Sequence, residues 1–488
     1  MLNTPAFKMA YLSIQTPDLP DQYGLFEARR LRNALYWAHY ENTAYDTLAH
    51  TFADGYKTSA SLYKAIRSIY SPAYRLGEFA KSYIWGGNLD AQAEMDGALP
   101  IETEIEALRP SLAQIWLWSN WKVEKDVVPL LGSILGDVFI RVVDAVKQVY
   151  LEIVHPSVVE DFTEDQMTNV KSYVITYPTM RDGRPVQFRE ECTRNGESVE
   201  FRTFADNALF AWNGEAAEWS EPYGFVPLVH VRHNSVGHKW GVSELHAARS
   251  RIQEIDDVAS VLTDRIRRMM RAGWLFSGQL APSGDGGIQM ASRYQSLTST
   301  QKQSYPHPIR EEEPILYSPD AQAKAVPLVA PVDIAGAVAH IAAILEDLEA
   351  DYPELTFEKI QKSGALSGTA LSKARQPAAT KVKQLRANYD DALVRAQQMA
   401  LSIGGMRGLF PGISLDSYGQ GALEHSIADR PVFALDELDI AERNKSFWEA
   451  AKVAVEAGWP LEAYLLENGY TQEQIDLWFG DENAQPTQ

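Results

Sequence analysis

Leu245, Ala248, Ile252, Ile255, Ala259, Leu262, Ile266 and Met269 recur in steps of three and four, which puts them on one stripe of a helix. Ser243, just after Gly241, is the expected N-cap. Glu254, Asp256 and Asp257 lie mostly in the first half, and Arg265, Arg267, Arg268 and Arg271 crowd the last turns, the sign the helix dipole favours there. Gly273 is the expected stop. About 28 residues at about 1.5 Å each give roughly 40 Å, long for a helix in a globular core.

From 273 to 332 the helical period vanishes. Gly and Pro recur every few residues, and the apolar runs Trp274–Phe276, Pro314–Tyr317 and Val326–Val329 are short, which predicts short strands and turns. A second helix starts at Asp333, an N-cap after Pro331, with the stripe Ile334, Val338, Ile341, Leu345 and Leu348, and stops before Pro353. Ser363 to Thr369 is small, polar and flexible in composition. A third helix carries Leu371, Ala374, Ala378, Val382, Leu385, Tyr389, Leu393, Ala396 and Met399. Pro377 lies inside it and predicts a kink, because it removes a hydrogen bond and clashes with the preceding turn.

Elsewhere the pattern alternates between the two periods. An amphipathic helix is expected near Leu25–Tyr45, and another over 100–121 with Trp116, Trp118 and Trp121 at its end. From 136 to 233 short alternating runs (Ser172–Pro178, Pro185–Thr193, Ser198–Phe204), separated by "RDGR" and "RNGE", predict a mostly antiparallel sheet. Asn195-Gly196 is the strongest hairpin signal. Residues 403–488 read as helical, with three short helices broken at Gly458 and Gly469 and a polar tail after Gly480. The fold class is therefore α+β, mainly helical. No internal repeat is evident.

Composition narrows the function classes. The chain has 488 residues, too many for one ordinary core, so two to four domains are expected. A single cysteine, Cys192, excludes an intrachain disulfide and suits a reducing cytoplasm; in a predicted strand it reads as a small core residue. No basic-then-apolar leader opens the sequence. The longest apolar run, Val127 to Leu135, falls far short of about 18–20 residues, so no membrane segment is expected. Net charge is −20, from 45 basic and 65 acidic residues, where an ordinary DNA-binding protein would show a basic excess.

Catalytic and cofactor signatures are missing. No G-x-x-x-x-G-K-[ST] occurs, and Gly364 to Thr369 has the wrong spacing and no lysine to reach a phosphate. His233–His238 has a histidine where a G-x-S-x-G elbow needs its first glycine. His230, His233 and His238 lie close in sequence but have no cysteine nearby and no H-E-x-x-H, so no metal site is expected there. The expectations are no enzyme activity, no catalytic residue and no cofactor.

Long helix, strand-rich insert, second helix, polar loop and proline-bearing helix, in that order, resemble the core of the portal (connector, head-to-tail joining) proteins of tailed bacteriophages. "GDVFIRVV" (136–143) with "YLEIVHPSVVEDF" (150–162) is similar to the paired strands that open the portal wing sheet. "YGFVPLVHVRHNSVGHKWGVSEL" (223–245) resembles the lead into the first stem helix, and "SPAYRLGEFAKSYIWG" (71–86) the early helical wing. The likeness spans roughly 70–402.

The resemblance implies a portal fold assembled as a ring of twelve subunits, with an antiparallel β wing sheet, long stem helices and a small α/β clip. It implies a wing over 1–240, stem helix one over 241–272, a clip over 273–332 and stem helix two over 333–352. A tunnel loop over 353–368, a kinked helix joining channel and wing over 369–402, and a helical crown with a polar tail over 403–488 complete it. The ring would sit at one capsid vertex of the virion, after assembly in the host cytoplasm, and pass double-stranded DNA. Its partners would be the terminase large subunit, head–tail adaptor proteins, and the major capsid and scaffolding proteins, with no membrane.

A conduit must let DNA slide. An acidic wall repels the phosphates, and a few lysines near the constriction supply transient contacts. The channel candidates are Lys359, Lys362, Ser363, Gly364, Ser367, Gly368, Lys373, Lys381 and Lys383. A solvated helix face is the competing reading for each lysine, as a merely acidic soluble protein is for the net charge. Two other functions stay open. One is another phage structural ring, a head-completion or baseplate component. The other is an enzyme with an unrecognised site, such as a nuclease or transferase.

Overall fold

The computed structural model describes residues 26–45, 70, 72–86, 99–212, 216–270, 274–277, 316–318, 324–327, 333–356, 368–433, 437–468, 472 and 475. They form a mixed helix and sheet architecture with mostly antiparallel strand pairs.

Helix α1 spans Phe26–Tyr40 and α2 spans Pro72–Tyr83. The first is shorter than its periodicity predicts, because Asn42 takes a left-handed φ of 61°. The single helix expected over 100–121 is corrected. Ile101–Glu102 is a strand, β1, paired with Ser426–Ile427, and α3 runs only over Leu108–Trp118. Asn120 at φ 50° separates it from the short α4, Trp121–Glu124.

The apolar run becomes helix α5, Val127–Leu135. It leads into a three-stranded sheet in which β2 (Asp137–Asp144) lies between β3 (Val149–Val154) and Leu228–Arg232. Strands β4 (Val159–Glu164), β5 (Val170–Arg181), β6 (Arg184–Asn195), β7 (Ser198–Ala205) and β8 (Ala208–Leu209) follow one another in a six-stranded antiparallel sheet, with β9 (Glu218–Glu221) along β7. Strand β10, Leu228–Arg232, closes the series. At the β5–β6 turn both Asp182 and Gly183 have positive φ (50° and 74°), as a type I′ hairpin requires. In the β6–β7 hairpin Asn195 remains a strand residue paired with Ser198, and Gly196 (φ 65°) opens the turn. Cys192 is buried in β6 between Tyr173 and Phe201.

Helix α6 spans Leu245–Met270. Beyond it β11 (Trp274–Ser277) pairs in parallel with β12 (Leu316–Ser318) and antiparallel with β13 (Lys324–Pro327). Helix α7, Ile334–Asp351, is capped by Asp333, whose carboxylate accepts from Gly336 N–H at 2.9 Å. Arg251 of α6 pairs with Asp351 at the end of α7, so the two helices lie side by side in opposite directions. Helix α8, Gly368–Met406, carries Pro377 and runs four residues past its expected end.

The reading of 403–488 as helical is corrected in its first part. Residues 407–433 form turns, a short 3-10 segment at Leu415–Ser417 and strand β14, Ser426–Ile427. Phe410, Leu423 and Ile427 join the core there. Helices α9 (Glu437–Glu456) and α10 (Leu461–Glu467) flank a break at Gly458, which takes φ 91°. The third expected helix lies mostly outside the described residues.

One apolar core joins α2, α3, α5, the two large sheets, the first half of α6, the end of α7 and the middle of α8. Trp85, Trp116, Trp121, Phe139, Phe162, Tyr173 and Tyr389 are its largest fully buried side chains. Burying each such ring removes on the order of 150–250 Å² from water.

Candidate functional site

The foot of α6 is fixed by a close backbone approach. Gly136 ends α5 at φ 90°, and a Cβ there would meet Ser243 N at 2.7 Å and Gly241 O at 2.8 Å. A Cβ on Gly241 would meet Gly136 O at 2.2 Å. Two glycines therefore let the chain after β10 lie on the end of α5. Glu244 N–H donates to Ser133 O at 3.0 Å, Ser243 Oγ donates to Ile134 O at 2.6 Å, and Leu245 N–H donates to Ser243 Oγ at 3.0 Å. Ser243 thus caps α6 as its sequence position predicts.

A buried polar chain runs across this foot. Tyr389 Oη of α8 lies 2.7 Å from His233 Nδ1, and His233 Nε2 lies 2.9 Å from Glu244 Oε1. Lys381 Nζ donates to Glu244 Oε2 at 2.9 Å and to Glu354 Oε1 at 2.6 Å. Asn234 Nδ2 also reaches Glu244 Oε1, at 3.2 Å. Tyr352, just past α7, donates its hydroxyl to Glu244 O at 2.8 Å. The end of β10, the start of α6, the turn after α7 and α8 therefore converge on one carboxylate. Burial alone would raise the Glu244 carboxyl, but the hydrogen bond and charge of His233 and the Lys381 ammonium outweigh it and bring it down to about 2. Glu354 goes the other way. Burial and the charge of Glu244 push it up, although Lys381 opposes them. Burial drives the Tyr389 phenol far above its ordinary value.

A Tyr–His–Glu line has the form of an acid–base relay, and this one is sealed in the core. His233 and Tyr389 are completely buried. The cavity beside Glu354 and Lys381, walled by Leu76, Phe79 and Val382, holds about 10 Å³, no more than one water. The arrangement ties elements together.

A second network lies behind it. His230 Nε2 is 2.7 Å from Asp137 Oδ1, and Nδ1 is 3.2 Å from Glu164 Oε1. The ring stacks on Phe139 at 4.6 Å. Arg232 also bonds Glu164, and Gly241 N–H donates to Asp137 Oδ1 at 2.7 Å. Burial would raise Glu164, and its bonds with His230 and Arg232 hold it below the usual carboxylate range. His230 and His233 thus belong to separate networks, while His238 is exposed. Among the described residues no group of three or more His, Cys, Asp or Glu side chains could hold a metal ion.

The other sequence-derived candidates scatter. Lys359, Lys362, Ser363, Gly364 and Ser367 lie outside the described residues. Gly368, expected in the loop, is the first residue of α8. Lys373 and Lys383 are exposed on α8, and Pro377 is exposed within it, the helix continuing on both sides. Lys381 is committed to Glu244 and Glu354 and is one-quarter exposed. Glu244, Glu354 and Tyr389 were not candidates from sequence. Their side-chain partners lie 10 to 156 positions away, beyond any local spacing rule.

No helix among the described residues is long and apolar enough to cross a membrane. No protein-family model matches the chain, and no curated protein matches it. Among solved structures the chain is similar to the neck of an empty GTA particle computed with C6 symmetry, at 12% identity and a TM-score of 0.39 over 83% of this chain and 95% of that one. It is similar also to the neck of a native GTA particle computed with C12 symmetry, at 12% identity and a TM-score of 0.34 over 86% of this chain and 94% of that one.

Proposed function

We propose that the chain is a portal-type subunit. Twelve copies close into a ring that conducts double-stranded DNA through a capsid vertex and docks the terminase large subunit and then head–tail adaptors. Capsid and scaffolding proteins surround it. The work is mechanical and electrostatic, without catalytic residue or cofactor.

The observation that carries this reading is how the two long helices are covered. On α6, Leu245, Ala248, Ile252 and Ile255 are buried, while Ala259, Leu262 and Ile266 on the same stripe are only partly covered. On α7, Leu348 is fully buried, yet Ile334 and Val338 on its stripe are 39% and 51% exposed. Each stripe is buried at the foot, by the core, and less covered towards the other end. A neighbouring copy, related by a rotation that closes, would cover it. At about 25 cal/mol per Å² such stripes give a strong driving force. The net charge of −20 suits a wall that repels DNA, and of the candidate lysines Lys373 and Lys383 are the exposed ones among the described residues.

The test is Val338→Glu. A charge in the uncovered stripe should leave the far-ultraviolet circular dichroism unchanged and reduce the solution mass from that of a ring to that of a single chain. An unchanged mass would overturn the assignment of this stripe to the subunit interface.

A further inference from the structure

The Lys381 contact has a geometry that goes beyond a ring subunit's needs. Glu354 lies in the helical turn just before residue 357, and α8 begins at Gly368 and carries Lys381 on its fourth turn. One ammonium therefore links the segment entering 357–367 to the segment leaving it, and links both to the foot of α6 through Glu244. The side chains are 25% exposed for Lys381, 8% for Glu244 and 4% for Glu354.

The two carboxylates are held unequally. Both oxygens of Glu244 are bonded, one to His233 and Asn234 and the other to Lys381, and its backbone N–H and C=O are held by Ser133 and Tyr352. Glu354 has one side-chain bond, from Lys381 to Oε1, and its buried Oε2 has no partner among the described residues. A buried acceptor left unbonded weakens the bound arrangement. Separation is therefore easier at Glu354 than at Glu244.

We propose that Lys381 is a latch that closes on Glu354 and opens there while keeping Glu244, so that the segments flanking 357–367 move without disturbing the foot of α6. The latch belongs to the single subunit and stands independently of the ring reading. Closed, it fixes the turn at Pro353–Thr356 and the first turns of α8 in one place. Open, Lys381 remains neutralised by Glu244, and the Glu354 carboxylate leaves the core with the turn that carries it, so neither charge is stranded there.

Hydrogen exchange read by mass spectrometry on the full chain tests this, with wild type, Glu354→Gln, Lys381→Met and the double variant. Leu355 N–H, bonded to Tyr352 O, is a direct reporter of the turn. Glu354→Gln should speed exchange at 354–356 and 369–376 about tenfold, with 245–252 and 385–400 unchanged, because a charge-assisted bond becomes an ordinary one. Lys381→Met should speed the same amides at least as much. The double variant should exchange no faster than Lys381→Met, since both changes remove one contact. Unchanged exchange at 354–356 in Glu354→Gln would overturn the latch. So would equal acceleration at 385–400, or effects that multiply in the double variant. If Lys381→Met does not fold, Glu354→Gln alone decides by the same criteria.

Discussion

Gly132→Ala provides the sharpest test of the packing around the buried chain. A Cβ at Gly132 would lie 1.9 Å from Tyr389 Oη and 3.1 Å from Cζ. The phenol would have to retreat by about 1.5 Å to reach an ordinary contact. It has nowhere to go. Tyr389 is 0% exposed, with the Trp85 and His233 rings at centroid distances of 5.9 Å. Overpacking of this kind costs about 1–3 kcal/mol, and loss of the Tyr389–His233 hydrogen bond adds about 1 kcal/mol. Alanine in the middle of α5 returns up to about 1 kcal/mol of helix propensity. With the full propensity gain, the net expectation is a loss of about 1–3 kcal/mol. Tyr389→Phe alone removes the bond to His233 and should cost about 1–2 kcal/mol. The double variant removes the clashing oxygen as well, so it should cost about 1 kcal/mol, well below the sum of the two. Urea unfolding at fixed protein concentration, followed by tryptophan fluorescence with Trp85 beside the site, measures all three. Additive costs would refute the claim that the hydroxyl occupies the space Gly132 leaves.

Two further predictions concern titratable groups. Burial, with a smaller contribution from Arg249, lowers His39 from 6.5 to about 4. A depressed pKa stabilises the fold above the unfolded value, and that stability is lost as pH falls from 6.5 towards 4. Between pH 7 and pH 5 the loss should be about 2 kcal/mol by urea midpoint, and His39→Phe should remove that part of the slope; an unchanged slope in the variant would count against the burial argument. Burial also pushes the Cys192 thiol far up, with Glu190 adding to it, so iodoacetamide at pH 8 should leave the native chain unlabelled and label it fully in urea. Rapid labelling of the folded protein would contradict the placement of Cys192 in the sheet.

The sequence was legible where structure follows from local period. The stripes of α6, α7 and α8 and the alternating runs of β5, β6 and β7 fall where their spacing puts them, because burial of one face dictates the repeat. It was illegible where distant segments compete with local propensity. Residues 101–107 look helical, yet Ile101 pairs with Ile427, more than 300 positions away. Residues 407–433 return to the core for the same reason. The buried chain was hidden more thoroughly. Glu244 looks like a first-turn acid and Lys381 like a solvated lysine, and only the packing of segments 137 positions apart brings them to one place.

The central claim is closure into a ring, and solution mass with negative-stain images of the same fraction tests it most directly. Twelve chains of 54.5 kDa make about 650 kDa. The account predicts that mass, a closed symmetric outline and a hole wide enough for a duplex. A stable single chain or an unclosed dimer in both measurements would contradict it.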